Sequence, residues 1–234
     1  MIKTNLKEDL DVVNIILSNN NVNSISVYML KELNKVIDDT SLPKKKCLII
    51  SSDQKHFCAG ADLKERSGFS HTQTLDFLDS LNELYHKIEE LSIPTIAVIN
   101  GGCLGGGLEL ALSCDFRIGL EDSFYGFPET SIGIIPGAGG TQRMTRLVGP
   151  SISMQWIFSA DKYTVNRALS DKVIDFFIKK DDIESYLKFF TSKITKNAPL
   201  AIKAGKKSIN QAFIDYAFMV ERGEYLKTLK SEDR

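Results

Sequence analysis

The stretch TIAVINGGCLGGGLELALSCD, residues 95–115, restricts the possible folds more than any other part of the chain. Its opening apolar run, rich in Ile and Val, reads as a buried strand. Five glycines within residues 101–107 then interrupt it, and the Leu-Glu-Leu-Ala-Leu that follows is made of good helix formers. A strand handed to a helix through so short a turn is the building unit of an α/β protein with largely parallel strands.

Other segments agree with that architecture. VVNIIL (12–17) and KCLIISS (46–52) read as buried strands, the first followed by the polar turn SNNNVNS. Ser26 precedes VYMLKELNKVIDD, which has apolar residues at helical spacing, so a helix is predicted to start there. Leu75, Leu78, Leu81, Leu84, Ile88 and Leu91 are predicted to form the core-facing stripe of a helix ended by Pro94. After Pro150 the chain turns mostly helical and more charged. From about Thr191 no strand signal remains, so the expected organisation is a core over 1–190 and a helical region over 191–234.

Composition narrows the function. With 29 Lys plus Arg against 30 Asp plus Glu, the net charge of −1 gives no general attraction for DNA, RNA or a membrane surface. Cys47, Cys58, Cys103 and Cys114 form no C-x-x-C pair and no zinc spacing, and no secretory leader is visible, so reduced thiols in a cytosol-like compartment are expected. The apolar runs are far shorter than a membrane span. His56, His71 and His86 lack ligand spacing, and Trp156 and Phe158 read as packing residues.

The glycine turns need another explanation. GGCLGGGLEL lacks the lysine and Ser/Thr of a P-loop, and Cys103 stands where a dinucleotide fingerprint needs its middle glycine; PGAGGTQR fails both tests. What remains is close approach of backbone to a ligand. Residues 105–107 stand where a helix begins, so their N–H groups lack intrahelical partners and sit at the positive end of the helix dipole. Such donors can stabilise an oxyanion. Glu109, three residues past Gly106, shares a helix face with that amide. The residues alone leave two readings open, a general base or a helix-capping glutamate.

HFCAGADLKER (56–66) is a second small-residue turn, whose amides at 59–61 are predicted to face the first, with Asp62 capping a helix. Glu129 follows Pro128 in a segment dense in glycine and apolar residues, where an acid is either exposed or raised in pKa. A paired-carboxylate site follows from Glu109 and Glu129 together, and Gly139 and Gly140 either shape a turn or belong to it.

FCAGADLKER, GGCLGGGLELALSCDFRI and PETSIGIIPGAGGTQRMTRLVG resemble, in content and spacing, the three signature segments of the crotonase family, the enoyl-CoA hydratases and isomerases. The first two are most similar to its methylglutaconyl-CoA hydratase branch. The resemblance implies an α/β spiral of ββα units with a helical C-terminal region that builds homotrimers or hexamers. It implies that the amides of Ala61 and Gly106 form the oxyanion hole for a thioester. Ala59, Gly60, Asp62, Leu63 and Lys64 would line the CoA path together with Gly105, and Lys64 and Lys55 would lie near the phosphates or adenine. Glu109 and Glu129 fall on the two hydratase glutamates, and Gly137 on a glycine beside the catalytic water.

The implied reaction is syn addition of water to a short-chain or branched 2-enoyl-CoA, 3-methylglutaconyl-CoA being one candidate, in fatty-acid or branched-chain amino-acid breakdown. The acyl-CoA thioester is the partner, with no cofactor beyond the CoA of the substrate and no metal. The implied compartment is the mitochondrial matrix in a eukaryote or the cytoplasm in a bacterium. A Δ3-Δ2-enoyl-CoA isomerase is the alternative within the family. A noncatalytic RNA binder using Lys31, Lys35 and the lysines at 44–46 is the alternative outside it. The chain departs from the family in lacking an arginine-proline near LSNNNVNSIS, in carrying Lys172 for glycine, and in stopping at KSEDR, which reads as a shortened tail.

Overall fold

The computed structural model describes residues 2–7, 11–39 and 41–213. In chain order the elements are β1 (Ile2–Lys7), β2 (Val12–Leu17), α1 (Val27–Ile37), β3 (Cys47–Ser52), α2 (Leu63–Arg66), α3 (His71–Glu89), β4 (Thr95–Ile99), β5 (Gly102–Leu104), α4 (Gly106–Leu112), β6 (Phe116–Leu120) and β7 (Phe124–Gly126). They continue with α5 (Gly140–Ser159), β8 (Tyr163–Thr164), α6 (Val165–Ser170), β9 (Phe176–Ile178), α7 (Ile183–Thr195) and α8 (Pro199–Asn210). The helix predicted at Ser26 starts there, with the Ser26 side chain accepting from the Met29 N–H.

The strands form a six-stranded sheet in the order β1-β2-β3-β4-β6-β9 and a three-stranded sheet in the order β5-β7-β8. β2, β3, β4, β6 and β9 run parallel, while β1 lies antiparallel to β2. β4 and β6 each feed a second strand, β5 and β7, into the small sheet, so the chain winds forward as a spiral. A parallel bridge between Cys58 and Cys103 extends the small sheet to the segment leaving β3.

All five residues of β4 are buried, as expected of a central parallel strand covered on both faces. Alternation in β3 divides the core accordingly. Leu48 and Ile50 face the main core with Ile15, Ala97 and Ile99. Cys47 and Ile49 face the opposite side with Ile96 and Ile118, where Tyr186, Leu187 and Phe190 of α7 cover them.

The α3 stripe is corrected by the structure. Leu81, Leu84 and Ile88 are buried, but Leu75 is 47% exposed and the buried residues of the first turns include Phe77 instead. Steps of three residues lose about 60° each on a helix of 3.6 residues per turn, so Leu75 and Leu84 point to opposite sides. The helix also stops at Glu89, ahead of Pro94. α5 is broken at Gly149, whose φ of 81° precedes Pro150. Position 191 falls inside α7 rather than at a helix start. The tail beyond residue 213, expected to be helical, lies outside the described residues.

Candidate active site

Two turns meet at the upper ends of the strands. The first leaves β3, where the Cys58 N–H donates to the Gly102 carbonyl at 3.1 Å and the Leu104 N–H to the Cys58 carbonyl at 3.0 Å. Its outer edge is tied down by bonds from the Ala59 N–H to the Val22 carbonyl, from the Ile25 N–H to the Gly60 carbonyl, and from the Asp62 N–H to the Ile25 carbonyl. In an extended segment alternate amides point opposite ways, so the Ala61 N–H faces inward. The second turn is Gly105, at φ 51° and ψ −124°, followed by Gly106 as the first residue of α4. An N–H at that position has no intrahelical acceptor.

The glycines let these turns touch. A Cβ on Gly106 would lie 3.6 Å from the Ala61 nitrogen, so the two amides are neighbours. A Cβ on Gly60 would sit 2.9 Å from the Leu104 oxygen. Among the described residues neither the Ala61 nor the Gly106 N–H donates to a protein acceptor. The Tyr85 hydroxyl donates to the Gly106 carbonyl at 2.7 Å and so fixes the start of α4 from below.

Glu109 does not cap its own helix. It is 2% exposed, and its Oε1 accepts the N–H groups of Ala138 and Gly140, each at 2.8 Å. Burial raises its pKa, while those two bonds and the Arg143 charge oppose the rise. Arg143 is itself fixed by Glu89 at 2.9 Å and by donating to the Ala138 carbonyl at 2.9 Å. Glu129 sits on the short 3₁₀ turn Pro128–Ile132, with Oε1 only 2.8 Å from where a Gly105 Cβ would stand. Its Oε2 is buried with no hydrogen-bond partner among the described residues. Burial, helped by the Glu109 charge, pushes its carboxyl up to about 7.

Both glutamates, Ala59, Gly60, Ala61, Leu63, Gly105, Gly106 and Gly137 line one cavity of about 550 Å3. The sequence-predicted residues therefore converge, with three exceptions. Lys55 lines a separate cavity of about 320 Å3 beside His56 and Asn100. Lys64 is exposed on α2. Asp62 caps α2, accepting the Lys64 and Glu65 N–H groups at 3.1 Å each.

Other contributors escaped the sequence reading. Asn23 is fully buried at φ 50°, and its Nδ2 donates toward the Leu17, His56 and Phe57 carbonyls and Ser52 Oγ. It thereby joins the end of β2 to the segment entering the first turn. Its signal was the asparagine-rich turn, since asparagine tolerates left-handed backbone. The Ala138 amide and Tyr85 carry no local signal at all. Arg66 also lines the cavity.

Amides converging opposite two carboxylates can polarise a carbonyl and move protons at the carbons beside it. The comparisons agree. The chain belongs to the enoyl-CoA hydratase/isomerase family, whose profile matches residues 7–223. It is 39% identical over 217 residues to a probable mitochondrial enoyl-CoA hydratase 2 of Arabidopsis thaliana, covering 91% of this chain and 72% of the relative. It is 36% identical over 221 residues to the mitochondrial methylglutaconyl-CoA hydratase of Homo sapiens, covering 91% of this chain and 65% of that protein. The crystal structure of an enoyl-CoA hydratase from Bacillus anthracis superposes with a TM-score of 0.94 at 33% identity, over 100% of this chain and 92% of that one. The fold is the crotonase spiral expected from the signature segments.

Among the described residues no cluster of His, Cys, Asp or Glu could hold a metal ion, and no helix is long and apolar enough to cross a membrane.

Proposed function

We propose that this protein hydrates a short-chain or branched 2-enoyl-CoA, adding water syn across the 2,3-double bond. The observation that carries the reading is the presence of both carboxylates, Glu109 and Glu129, in one cavity with the unpaired amides of Ala61 and Gly106. The thioester oxygen accepts both amides, which favours electron flow from the double bond towards that oxygen. Glu109, oriented through Oε1, takes a proton from water as the water oxygen bonds to the β-carbon. Glu129, with a carboxyl near 7, holds a proton at neutral pH in a large fraction of molecules and delivers it to the α-carbon as the enolate collapses. One carboxylate alone would suffice to shuttle a proton in an isomerase; two on a shared cavity favour hydration.

In this reading the 59–64 segment, with Gly105, lines the path of the CoA arm, and Lys64 and Lys55 lie outside the cavity near its phosphates. Gly137, on the wall of the same cavity, lies beside the reacting water. The protein works as a homotrimer or a hexamer, in the mitochondrial matrix or a bacterial cytoplasm according to its source, in fatty-acid or branched-chain amino-acid breakdown.

The test is hydration of crotonyl-CoA and 3-methylglutaconyl-CoA, followed by loss of enoyl absorbance, with Glu109→Gln and Glu129→Gln alongside. The expected result is turnover by the parent and a fall of about 10²-fold or more in each variant. Isomerisation of a 3-enoyl-CoA without hydration of either substrate would overturn the reading.

A further inference from the structure

The cavity holds one charged group that the hydration chemistry does not use. Arg66, the last residue of α2, is half-buried on its wall and is the only cation among its lining residues. Its guanidinium stands 5.8 Å over the ring of Phe77, which is itself 4% exposed and in edge contact with Phe69. The Arg66 Nε is buried with no hydrogen-bond partner, and none of the ion pairs or side-chain hydrogen bonds among the described residues involves its guanidinium. A buried guanidinium N–H left unmatched is costly, and such groups are ordinarily satisfied. Leu78, Ile134 and Ile135 make other parts of the lining apolar, and the Thr74 hydroxyl, which also lines the cavity, donates to the Ser70 carbonyl at 3.0 Å and makes no bond to Arg66. The two acids of the cavity, Glu109 on α4 and Glu129 on the 3₁₀ turn, make no ion pair with Arg66.

We infer that Arg66 is a specificity residue that receives a carboxylate at the far end of the acyl chain, so that the preferred substrate is the CoA thioester of a dicarboxylic 2-enoic acid. The inference rests on the hydratase reading of the site and deepens it. A planar guanidinium presents parallel donors that match a carboxylate, and the surrounding apolar wall strengthens the pair by excluding water. The face of Phe77 attracts the guanidinium charge and helps keep Arg66 on the cavity wall. α3 supplies both this aromatic wall and Leu78, whose side chain lies against Gly137, so the arginine stands on the wall that continues to the Glu109 neighbourhood. An uncharged acyl tail leaves the guanidinium on the cavity wall without an acceptor, which is the basis for discriminating against it.

The experiment compares crotonyl-CoA with glutaconyl-CoA and 2,3-dehydroadipyl-CoA in the parent, Arg66→Met and Arg66→Lys. Calorimetric binding of glutaryl-CoA and butyryl-CoA is measured in parallel. Methionine keeps the apolar stem over Phe77 and removes only the charge. The expected result is a preference for one or both dicarboxylic esters in the parent. Arg66→Met should lower kcat/KM for them by about 10²-fold while changing crotonyl-CoA less than about threefold. Arg66→Lys should restore part of the preference, since it returns a point charge without the fork.

An equal loss for charged and uncharged esters would overturn the proposal, because it would place Arg66 on the CoA arm or in the fold. So would a parent that favours crotonyl-CoA. If no substrate is hydrated yet glutaryl-CoA binds better than butyryl-CoA only when Arg66 is present, the hydratase reading fails and the role of Arg66 stands. If neither ester is preferred in binding, Arg66 has no such role whatever the reaction.

Discussion

The Gly140 N–H donates to Oε1 of Glu109 at 2.8 Å, across 31 positions of sequence, and it does so from the first residue of α5. With the Ala138 amide on the same oxygen, one side of the carboxylate is locked by backbone. Glu109 Oε2 carries no such bond among the described residues, which leaves it for water or substrate. The carboxylate is thus oriented by peptide groups, which cannot rotate away as side chains can.

Gly140→Ala tests that orientation directly. A Cβ there would stand 2.8 Å from Glu109 Oε1, 2.9 Å from its Cγ and 2.9 Å from the buried Phe127 ring, so the Glu109 side chain must shift and the ring with it. Turnover is expected to fall about 10²-fold, the range typical of a misplaced acid or base. Circular dichroism should be unchanged and the loss should fall on kcat more than on KM.

The raised carboxyl of Glu129 makes stability depend on pH. Its ordinary value is 4.5 and its folded value about 7, so the folded state binds more protons than the unfolded between those limits. Its contribution to stability is therefore fully present below about 4.5 and is lost as pH rises through 7. Urea unfolding of the parent minus that of Glu129→Gln should decline across this window. The total should be about 1–3 kcal/mol, towards the lower figure because the group keeps some contact with solvent. Glu129→Gln should be the more stable protein at pH 8 despite its lost turnover.

Gly107→Ala is expected to fail at the level of folding. Its Cβ would collide with the backbone carbonyl of Cys58, and that carbonyl already accepts the Leu104 N–H in the small sheet. Neither side can yield without separating the two turns. A loss of about 3 kcal/mol or more, or insoluble expression, is the expected outcome. Thermal unfolding of any soluble fraction measures it.

Lys172→Gly should stabilise. Lys172 has φ 64°, a left-handed conformation that costs a side-chain-bearing residue about 1–2 kcal/mol, partly offset by the entropy glycine loses on folding. A net gain of up to about 1 kcal/mol, read as a rise in Tm with turnover unchanged, is expected. A fall in Tm would show that the lysine side chain contributes more than its backbone costs.

What the sequence by itself determined is local. The strand runs at 12–17, 46–52 and 95–99, the caps at Ser26 and Asp62, and the glycine turn before Glu109 are set by side-chain alternation, turn chemistry and helix-end hydrogen bonding within a few residues. The signature segments also pointed to both glutamates and to the Ala61 and Gly106 amides, which the fold brings to one cavity. Even the Lys172 departure coincides with a backbone that favours glycine.

Tertiary structure alone decided the rest. Glu109 could have capped its own helix, and only the arrival of the Ala138 and Gly140 amides gave its carboxylate another partner. Leu75 belongs to the apolar run of α3 yet lies outside the core, because helix rotation and the position of α1 choose which side is covered. Lys55, four residues before Ala59, lines a different cavity, while Arg66, five residues beyond Ala61, returns to the shared one. Hydrogen bonds and burial of this kind depend on which surfaces the spiral brings into contact, and no periodicity along the chain encodes contacts made between separate turns of the spiral.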